Sequence, residues 1–269
     1  MTTKMNPLDT TELNLLHKNL NFEIIDDSSR IDSFLLSANS FSVFHINARS
    51  INSLQKRSSF DEMLFIELQC RFDVIVVSET WFSNDSDCHL IQGYKIFSVI
   101  RARRGGGVSI YVKDGLQAQK LQEYSWSTND YDILSVKIED YLIIGVYRQP
   151  RGNMNLFIDR ISDILDMISD LQTSNSIVIG DFNIDLNSDS HASNRLLNLM
   201  TSHSYFNTIF DSTRISNEGG SLIDLCLTNI NDMNSTINIA ILVNDFSDHL
   251  PIAMTIKKKV FKPTARKLK

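Results

Sequence analysis

A short apolar strand followed at once by polar side chains is found at residues 176–183, Ser-Ile-Val-Ile-Gly-Asp-Phe-Asn. Residues two apart in an extended chain point to the same side, so Asp181 and Asn183 should face one way and Phe182 the core. A carboxylate beside an amide can position a water molecule and hold a phosphate oxygen. The stretch therefore predicts a strand that carries reactive groups at its end, and it favours a catalytic site over a plain turn.

Other apolar runs also end in polar residues that a rigid scaffold can aim into one cleft. A carboxylate in that position is a suitable ligand for a hard cation, and a phenol or guanidinium can contact phosphate. Each residue also has an ordinary alternative as a turn, loop or strand residue. Three such runs are 41–46 before Asn47, 74–77 before Glu79, and 142–146 before Tyr147 and Arg148.

An aspartate and a histidine stand side by side before Pro251, as Asp248 and His249. Neighbours in a strand point to opposite faces, so these two must lie on a turn to act together. Asp248 could then bind metal while His249 handles a proton, although a polar loop is the alternative. Asp224 lies in an apolar run, where a lone charge is costly, and His249 is its expected partner.

Strand-like segments outnumber helix-like ones, and several are joined by short connections. Residues 132–138 and 141–147 predict a hairpin, and 154–171 predicts an amphipathic helix. This pattern favours a mixed α/β sandwich over a doubly wound parallel sheet, which needs a helix after nearly every strand. The expected organisation is a weakly structured extension at 1–39, a domain at 40–257, and a basic tail or linker at 258–269.

The composition is that of a globular protein, with 42% hydrophobic and 22% charged residues in 269. The net charge is −6, yet residues 257–269 hold seven basic residues and no acid. An acidic body argues against a non-specific nucleic-acid binder but not against an enzyme whose carboxylates hold cations. No signal peptide or membrane-length apolar run is present, and three cysteines form no Cys-x-x-Cys pair, so we expect a soluble intracellular protein.

In their order along the chain these motifs resemble the endonuclease/exonuclease/phosphatase superfamily, and within it the endonuclease domain of LINE-type (non-LTR) retrotransposons. The match spans about residues 41–256. The stretches that carry it are INARSI (46–51), VIVVSETW (74–81), RGGGVSIYV (104–112), VYRQP (146–150), IVIGDFNIDL (177–186), STR (212–214) with SLIDLCLTN (221–229), and FSDHLPI (246–252).

The resemblance implies a four-layer α/β/β/α sandwich and a metal-dependent nuclease that nicks double-stranded DNA. It assigns the Mg²⁺ or Mn²⁺ ion to Glu79, supported by Asn47 and Asp248. It also implies that Asp181 aligns or deprotonates the attacking water and that Asn183 holds the scissile phosphate. His249, oriented by Asp224, would stabilise the phosphate charge or move a proton. Tyr147 would contact the phosphate or the leaving group.

The resemblance also suggests where DNA is contacted. Thr213 and Ser221 align with residues that touch the DNA backbone in such nucleases. The Arg101-x-Arg103-Arg104 cluster is either a phosphate-contacting edge or a solvated loop, and Arg148 could contact phosphate. A reverse-transcriptase segment, which these nucleases accompany, does not follow here, so we expect a piece of a polyprotein or a stand-alone relic. Nuclear location follows only from the inferred substrate.

Other functions fit the same motifs. An abasic-site repair nuclease, a deadenylase or a lipid phosphodiesterase would share the scaffold, and a catalytically dead DNA-binding module is an alternative of another class. A dead module is disfavoured because binding alone does not require the catalytic residues, which are all present as Asp181, Asn183, Asp248 and His249. Gly219-Gly220, interpreted as a turn, precedes Asp224 where abasic-site enzymes carry a Trp-Arg pair, which argues against repair.

Overall fold

The computed structural model describes residues 19–27, 29–34, 40–69, 72–101, 105–170, 175–216, 219–230 and 235–258. Within these ranges the strands are β1 (Leu20–Ile25), β2 (Ser40–Asn47), β3 (Val74–Ser78), β4 (Tyr94–Val99), β5 (Val108–Lys113), β6 (Ala118–Lys120), β7 (Trp126–Ser127), β8 (Tyr131–Ile138), β9 (Tyr141–Arg148), β10 (Asn175–Asp181), β11 (Phe206–Asn207), β12 (Arg214–Ser216), β13 (Gly219–Ser221), β14 (Asp224–Thr228), β15 (Ser235–Leu242) and β16 (Ile252–Lys258). The helices are α1 (Ser29–Phe34), α2 (Leu54–Glu62), which runs into a π-helical turn at Met63–Glu67, α3 (Met154–Asp170) and α4 (His191–Ser202).

The strands form two mixed sheets and one small ribbon. The first sheet has the order β1-β15-β16-β2-β3-β5-β4, and the second has the order β11-β14-β10-β9-β8-β6, with β7 also paired to β8. Strands β12 and β13 pair with each other. The predicted mixed sandwich is confirmed, and so are the β8–β9 hairpin and helix α3.

Alternation along the central strands explains the four layers. In β3, Val74 and Val76 belong to the apolar cluster shared with the second sheet, whereas Ile75 and Val77 belong to the cluster that contains Phe60 of α2. Helices α3 and α4 contact each other and add apolar side chains to the cluster that contains Val74 and Val76. The layers are therefore α2, the first sheet, the second sheet, and the α3–α4 pair.

The sequence pattern missed several elements. It gave no strand before residue 40, but β1 pairs in parallel with β15; as an edge strand with polar and exposed positions it lacks a clear alternation. Helix α2 (Leu54–Glu62) has no periodic apolar pattern, because Phe60 is its one buried residue. Gly219-Gly220 lies in strand β13 and not in a turn. In the described ranges no helix is long and apolar enough to span a membrane.

Candidate active site

The predicted site residues meet where strands of both sheets end. Asn47 is the last residue of β2 and lies beside the last residue of β3, which Glu79 follows. Asp181 ends β10, and its register partners are Tyr147 on β9 and Asp224 on β14. Two sheets packed face to face thereby bring these side chains to one end of the sandwich.

A single amide joins the two sheets at this end. Asn47 Nδ2 donates to Glu79 Oε1 at 2.9 Å and to Asp181 Oδ2 at 2.8 Å. Asn47 and Asp181 are fully buried, whereas Glu79 is half-buried. Trp81 Nε1 donates to the other oxygen of Glu79 at 3.0 Å. These bonds fix the position of both carboxylates, with Glu79 on the side that reaches solvent.

Asn183 returns to Asp181 because the chain turns after β10. Its φ of 48° is left-handed, a conformation in which asparagine is more tolerated than most residues. The backbone N–H of Asn183 donates to Asp181 Oδ1 at 2.9 Å, and Nδ2 donates to Asp181 Oδ2 at 3.0 Å and to the Arg148 carbonyl at 2.7 Å. The two side chains predicted to face one way are thus in direct contact.

The expected partner of Asp224 is present. His249 Nδ1 donates to Asp224 Oδ2 at 2.7 Å, and both side chains are buried. Burial acts to lower the pKa of His249, but the charge and hydrogen bond of Asp224, with further help from Asp181 and Asp248, raise it to about 9. The imidazole is therefore held in its cationic form at neutral pH.

The buried carboxylates fit a divalent cation. Burial and the charge of Asp224 raise the pKa of Asp181, although His249 and the backbone of Asn183 act in the opposite direction. Candidate ligand atoms of Asp181, Asp224 and His249 lie within 4.8 Å of one another. Asp224 Oδ1 is buried with no hydrogen-bond partner among the described residues. The oxygens of Asp181 and Asp224, with Glu79 linked to Asp181 through Asn47, are hard donors that suit a divalent metal, whereas the protonated His249 is not a ligand.

Asp248, the third predicted metal ligand, is ion-paired with two arginines. Its Oδ2 accepts from Arg49 Nη1 at 2.7 Å and from Arg214 Nε at 3.1 Å. Burial acts to raise the pKa of Asp248, but the Arg49 bond, the His249 charge and the Arg214 bond lower it. Its carboxylate is thus neutralised by two arginines, and its role as a metal ligand stays a prediction.

Two residues predicted to contact DNA are buried and hydrogen-bonded to backbone groups of the protein. Arg148 is buried, and its guanidinium donates to the carbonyls of Phe182 at 2.8 Å, Gly152 at 2.9 Å and Asn183 at 2.6 Å. Thr213 is also buried, and its hydroxyl accepts from the Asp224 N–H at 2.9 Å. Both hold neighbouring backbone, so we no longer assign them to DNA.

The remaining predicted contacts have mixed outcomes. Ser221 is half-buried on β13 opposite Arg214. Arg101 is neither a phosphate edge nor a solvated loop residue, because it is buried against Asp132 with Nη2 3.0 Å from Oδ2. Arg103 and Arg104 lie outside the described residues. No role was assigned from the sequence to Arg49 and Arg214, although both lie within identified motifs, INARSI (46–51) and STR (212–214).

A two-sheet sandwich with a buried cluster of acid, amide and imidazole at one end defines a class of hydrolase. Residues 43–249 match the profile of the Endonuclease/Exonuclease/phosphatase family, and the chain belongs to that family. Comparison with curated protein sequences finds no significant match.

Solved structures share the fold at low identity. The endonuclease domain of TRAS1, a telomere-specific non-LTR retrotransposon, is 13% identical with a TM-score of 0.60, over 82% of this chain and 100% of that one. The 3′ phosphatase NExo from Neisseria, bound to a product DNA hairpin, is 13% identical with a TM-score of 0.61, over 80% and 98%. A mannosyl-6-phosphatase from Bacteroides thetaiotaomicron is 14% identical with a TM-score of 0.55, over 82% and 100%.

Proposed function

We propose that this protein is an endonuclease that uses Mg²⁺ or Mn²⁺ to hydrolyse internal phosphodiester bonds of double-stranded DNA, as the endonuclease domain of a non-LTR retrotransposon does. The observation that carries the proposal is the joining of Glu79 and Asp181 by the Asn47 amide, next to the buried Asp224–His249 pair. The Glu79 and Asp181 carboxylates supply oxygen ligands and a base for water, and the Asp224–His249 pair supplies positive charge for the phosphate.

Glu79 and Asp181, linked by Asn47, would hold the cation. When bound, the cation neutralises charge on the scissile phosphate and lowers the pKa of a water molecule. Asp181 aligns the attacking water or takes its proton, since its carboxylate is fixed by the Asn47 amide at Oδ2 and by the backbone N–H of Asn183 at Oδ1. The half-buried Glu79 leaves this part of the cluster open to substrate.

Three other groups act on the phosphate. Asn183 Nδ2 can exchange its bond to Asp181 for a phosphate oxygen while keeping its bond to the Arg148 carbonyl. His249, protonated and oriented by Asp224, stabilises the charge that develops on the phosphate. Tyr147 contacts the phosphate or the leaving group.

The rim of the site supports a nucleic-acid substrate. The side chains of Arg49 and Arg214 are 51% and 35% exposed, and each uses one donor on Asp248. Guanidinium groups have five N–H donors, so both can also contact phosphates of a DNA strand, with Ser221 opposite Arg214. A DNA substrate would place the protein in the nucleus of a nucleated cell. A role like that of a retrotransposon endonuclease would pair it with a reverse transcriptase.

Replacing the cationic imidazole tests this function. We expect His249→Gln to slow cleavage of an internally labelled duplex oligonucleotide by about 10²–10⁴-fold in Mg²⁺. The matched control is His203→Gln, because His203 also pairs with an aspartate, Asp166, at 2.9 Å but on the outer helices. A folded His249→Gln variant that cuts at the wild-type rate would refute the proposal.

A further inference from the structure

A buried ion pair that the proposed chemistry does not use lies beside Tyr147. Arg101 follows β4 and Asp132 lies in β8, and they are 5% and 0% exposed. Arg101 Nη2 lies 3.0 Å from Asp132 Oδ2. The Asp132 carboxylate accepts hydrogen bonds from Arg101 Nε at 3.4 Å, Ser127 Oγ at 2.6 Å and the Gly107 N–H at 2.9 Å. The pair therefore ties the edge of the first sheet to the second sheet.

One connection from the ion pair to the site runs to Tyr147. Asp132 is the cross-strand partner of Tyr147 in the β8–β9 hairpin, so both side chains lie on the same face of the sheet. The guanidinium carbon of Arg101 is 5.7 Å from the centre of the Tyr147 ring, within cation–π range. The ion pair thus packs against the phenol from its protein side.

The other connection runs through the glycine loop at 105–107. A Cβ at Gly106 would lie 2.6 Å from Asp132 Oδ2, so a glycine is needed for the backbone to rest on the ion pair. The Gly106 carbonyl accepts the Trp81 backbone N–H at 3.0 Å, and Trp81 Nε1 in turn donates to Glu79 Oε2 at 3.0 Å. The loop therefore links the ion pair to the carboxylate proposed to hold metal.

We propose that Arg101 and Asp132 are positioning residues. Their ion pair fixes the position of Tyr147, on the second sheet, relative to Glu79, which follows a strand of the first sheet. Stability alone gives little reason for such a pair, because removing two charges from water offsets most of their attraction. Arg101 Nη1 adds to that cost, since it is buried with no hydrogen-bond partner in the described part of the chain. The inference rests on the proposed function for its cleavage measurements.

The first test measures energetic coupling between the ion pair and the two site residues. Asp132→Asn keeps the side-chain shape and removes its charge, and we expect it to lower kcat about 10–100-fold with little change in the KM for DNA. In a Tyr147→Phe or Glu79→Gln background, Asp132→Asn should lower kcat by a much smaller factor, because the group that it positions is already altered. An equal loss in both backgrounds overturns the inference.

The second test needs no catalysis. The chain has two tryptophans, so a Trp126→Phe background leaves Trp81 as the fluorescent reporter beside Glu79. In this background we expect Asp132→Asn to raise the Mn²⁺ concentration for half-maximal quenching about tenfold or more. An unchanged titration would remove the connection to Glu79. A wild type that binds Mn²⁺ but does not cut DNA would count against the proposed function alone.

A matched carboxylate separates positioning from general loss of stability. Asp73 precedes β3 at the end opposite Glu79 and accepts from the Ser42 N–H and Oγ, both at 2.9 Å. Asp73→Asn should lower the melting temperature without changing the Mn²⁺ titration. If Asp132→Asn does not fold, Arg101→Lys keeps the charge but loses the planar fork, and it should raise the Mn²⁺ requirement in the same direction. Parallel behaviour of the Asp73 variant and either ion-pair variant would contradict the inference.

Discussion

At the scale of single residues, Asp181 has no exposed surface and lies next to a second buried carboxylate, Asp224. Hydrogen bonds from Asn47 and Asn183 offset part of the cost of burying its charge. Its pKa is nevertheless raised, chiefly by burial and then by Asp224. A group whose charge is disfavoured in the folded protein lowers stability at neutral pH, and a bound cation removes that penalty.

Replacing this carboxylate should separate stability from activity. We expect Asp181→Asn to abolish DNA cleavage and to raise the melting temperature of the metal-free protein at pH 7.5 by ~2–4 °C, which corresponds to about 1 kcal/mol for a chain of this size. Differential scanning calorimetry in EDTA measures the second effect. A melting temperature well below that of wild type would mean that Asp181 is a structural residue and carries no electrostatic strain.

The raised pKa of His249 predicts a pH-dependent stability. Its folded value of about 9 exceeds the ordinary 6.5, so its protonation stabilises the fold fully below about pH 6.5, and this contribution is lost as pH rises through about 9. The difference in melting temperature between wild type and His249→Gln should therefore be larger at pH 6.5 than at pH 9.5. An unchanged difference across this range would show that the imidazole is not held as a cation by Asp224.

At the scale of elements, the parts predicted correctly are those with a strong local pattern. The β8–β9 hairpin alternates over both strands, and α3 repeats apolar positions at helical spacing, so neighbouring residues alone determine them. Strand β1 lacked such a pattern, since its place depends on parallel pairing with β15 more than two hundred residues away. Tertiary pairing of that kind leaves no local mark on the sequence.

In the candidate site too, local spacing predicted some residues, whereas contacts between distant segments could not be predicted. Asp181 and Asn183 were identified because strand parity puts them on one side, and the same parity would have shown that Arg148 points away from Tyr147. The contacts of Asp248 with Arg49 and Arg214 join segments 199 and 34 residues apart. No spacing rule predicts such partners.

The β12–β13 ribbon leads from Thr213 to Asp224 and bears on the choice of substrate. Gly219 and Gly220 are exposed, and Ile215 opposite Gly220 is 53% exposed. This arrangement offers an open edge and no aromatic residue in its described positions, whereas a flipped sugar needs a tight apolar pocket.

We therefore expect no strong preference for an abasic site. Matched duplex oligonucleotides with and without one abasic residue should be cut at rates within about tenfold of each other under single-turnover conditions, because extrusion of a baseless sugar gains little without a pocket. A preference of about a hundredfold or more for the abasic strand would instead support a repair nuclease.

At the scale of the whole molecule, the proposed function requires an acidic chain to bind a polyanion. The net charge is −6, so the positive potential that would attract DNA has to be local. Arg49 and Arg214 together outweigh the single charge of Asp248 between them and give the rim one net positive charge next to His249. A bound metal ion would add further positive charge at the cluster.

Neutralising the rim should change the salt dependence of DNA binding. We expect Arg49→Gln and Arg214→Gln, each in the inactive Asp181→Asn protein, to weaken duplex binding and to reduce the slope of log K against log salt by about 0.9 per lost phosphate contact. The matched control is Arg195→Gln, because Arg195 is ion-paired with Asp159 on the outer helices. Fluorescence anisotropy over a salt series gives the slopes, and slopes identical to that of the control would exclude the rim from the interface.

The most direct test of the central claim uses covalently closed circular DNA, which contains internal phosphodiester bonds and no ends. An exonuclease that requires an end, or a phosphatase, cannot act on it, so the assay separates endonuclease activity from the other activities of the family. We expect the purified wild-type protein to convert supercoiled plasmid to open circles in Mg²⁺ or Mn²⁺ but not in EDTA. Intact plasmid, together with release of phosphate from a 3′-phosphorylated oligonucleotide under the same conditions, would contradict the account.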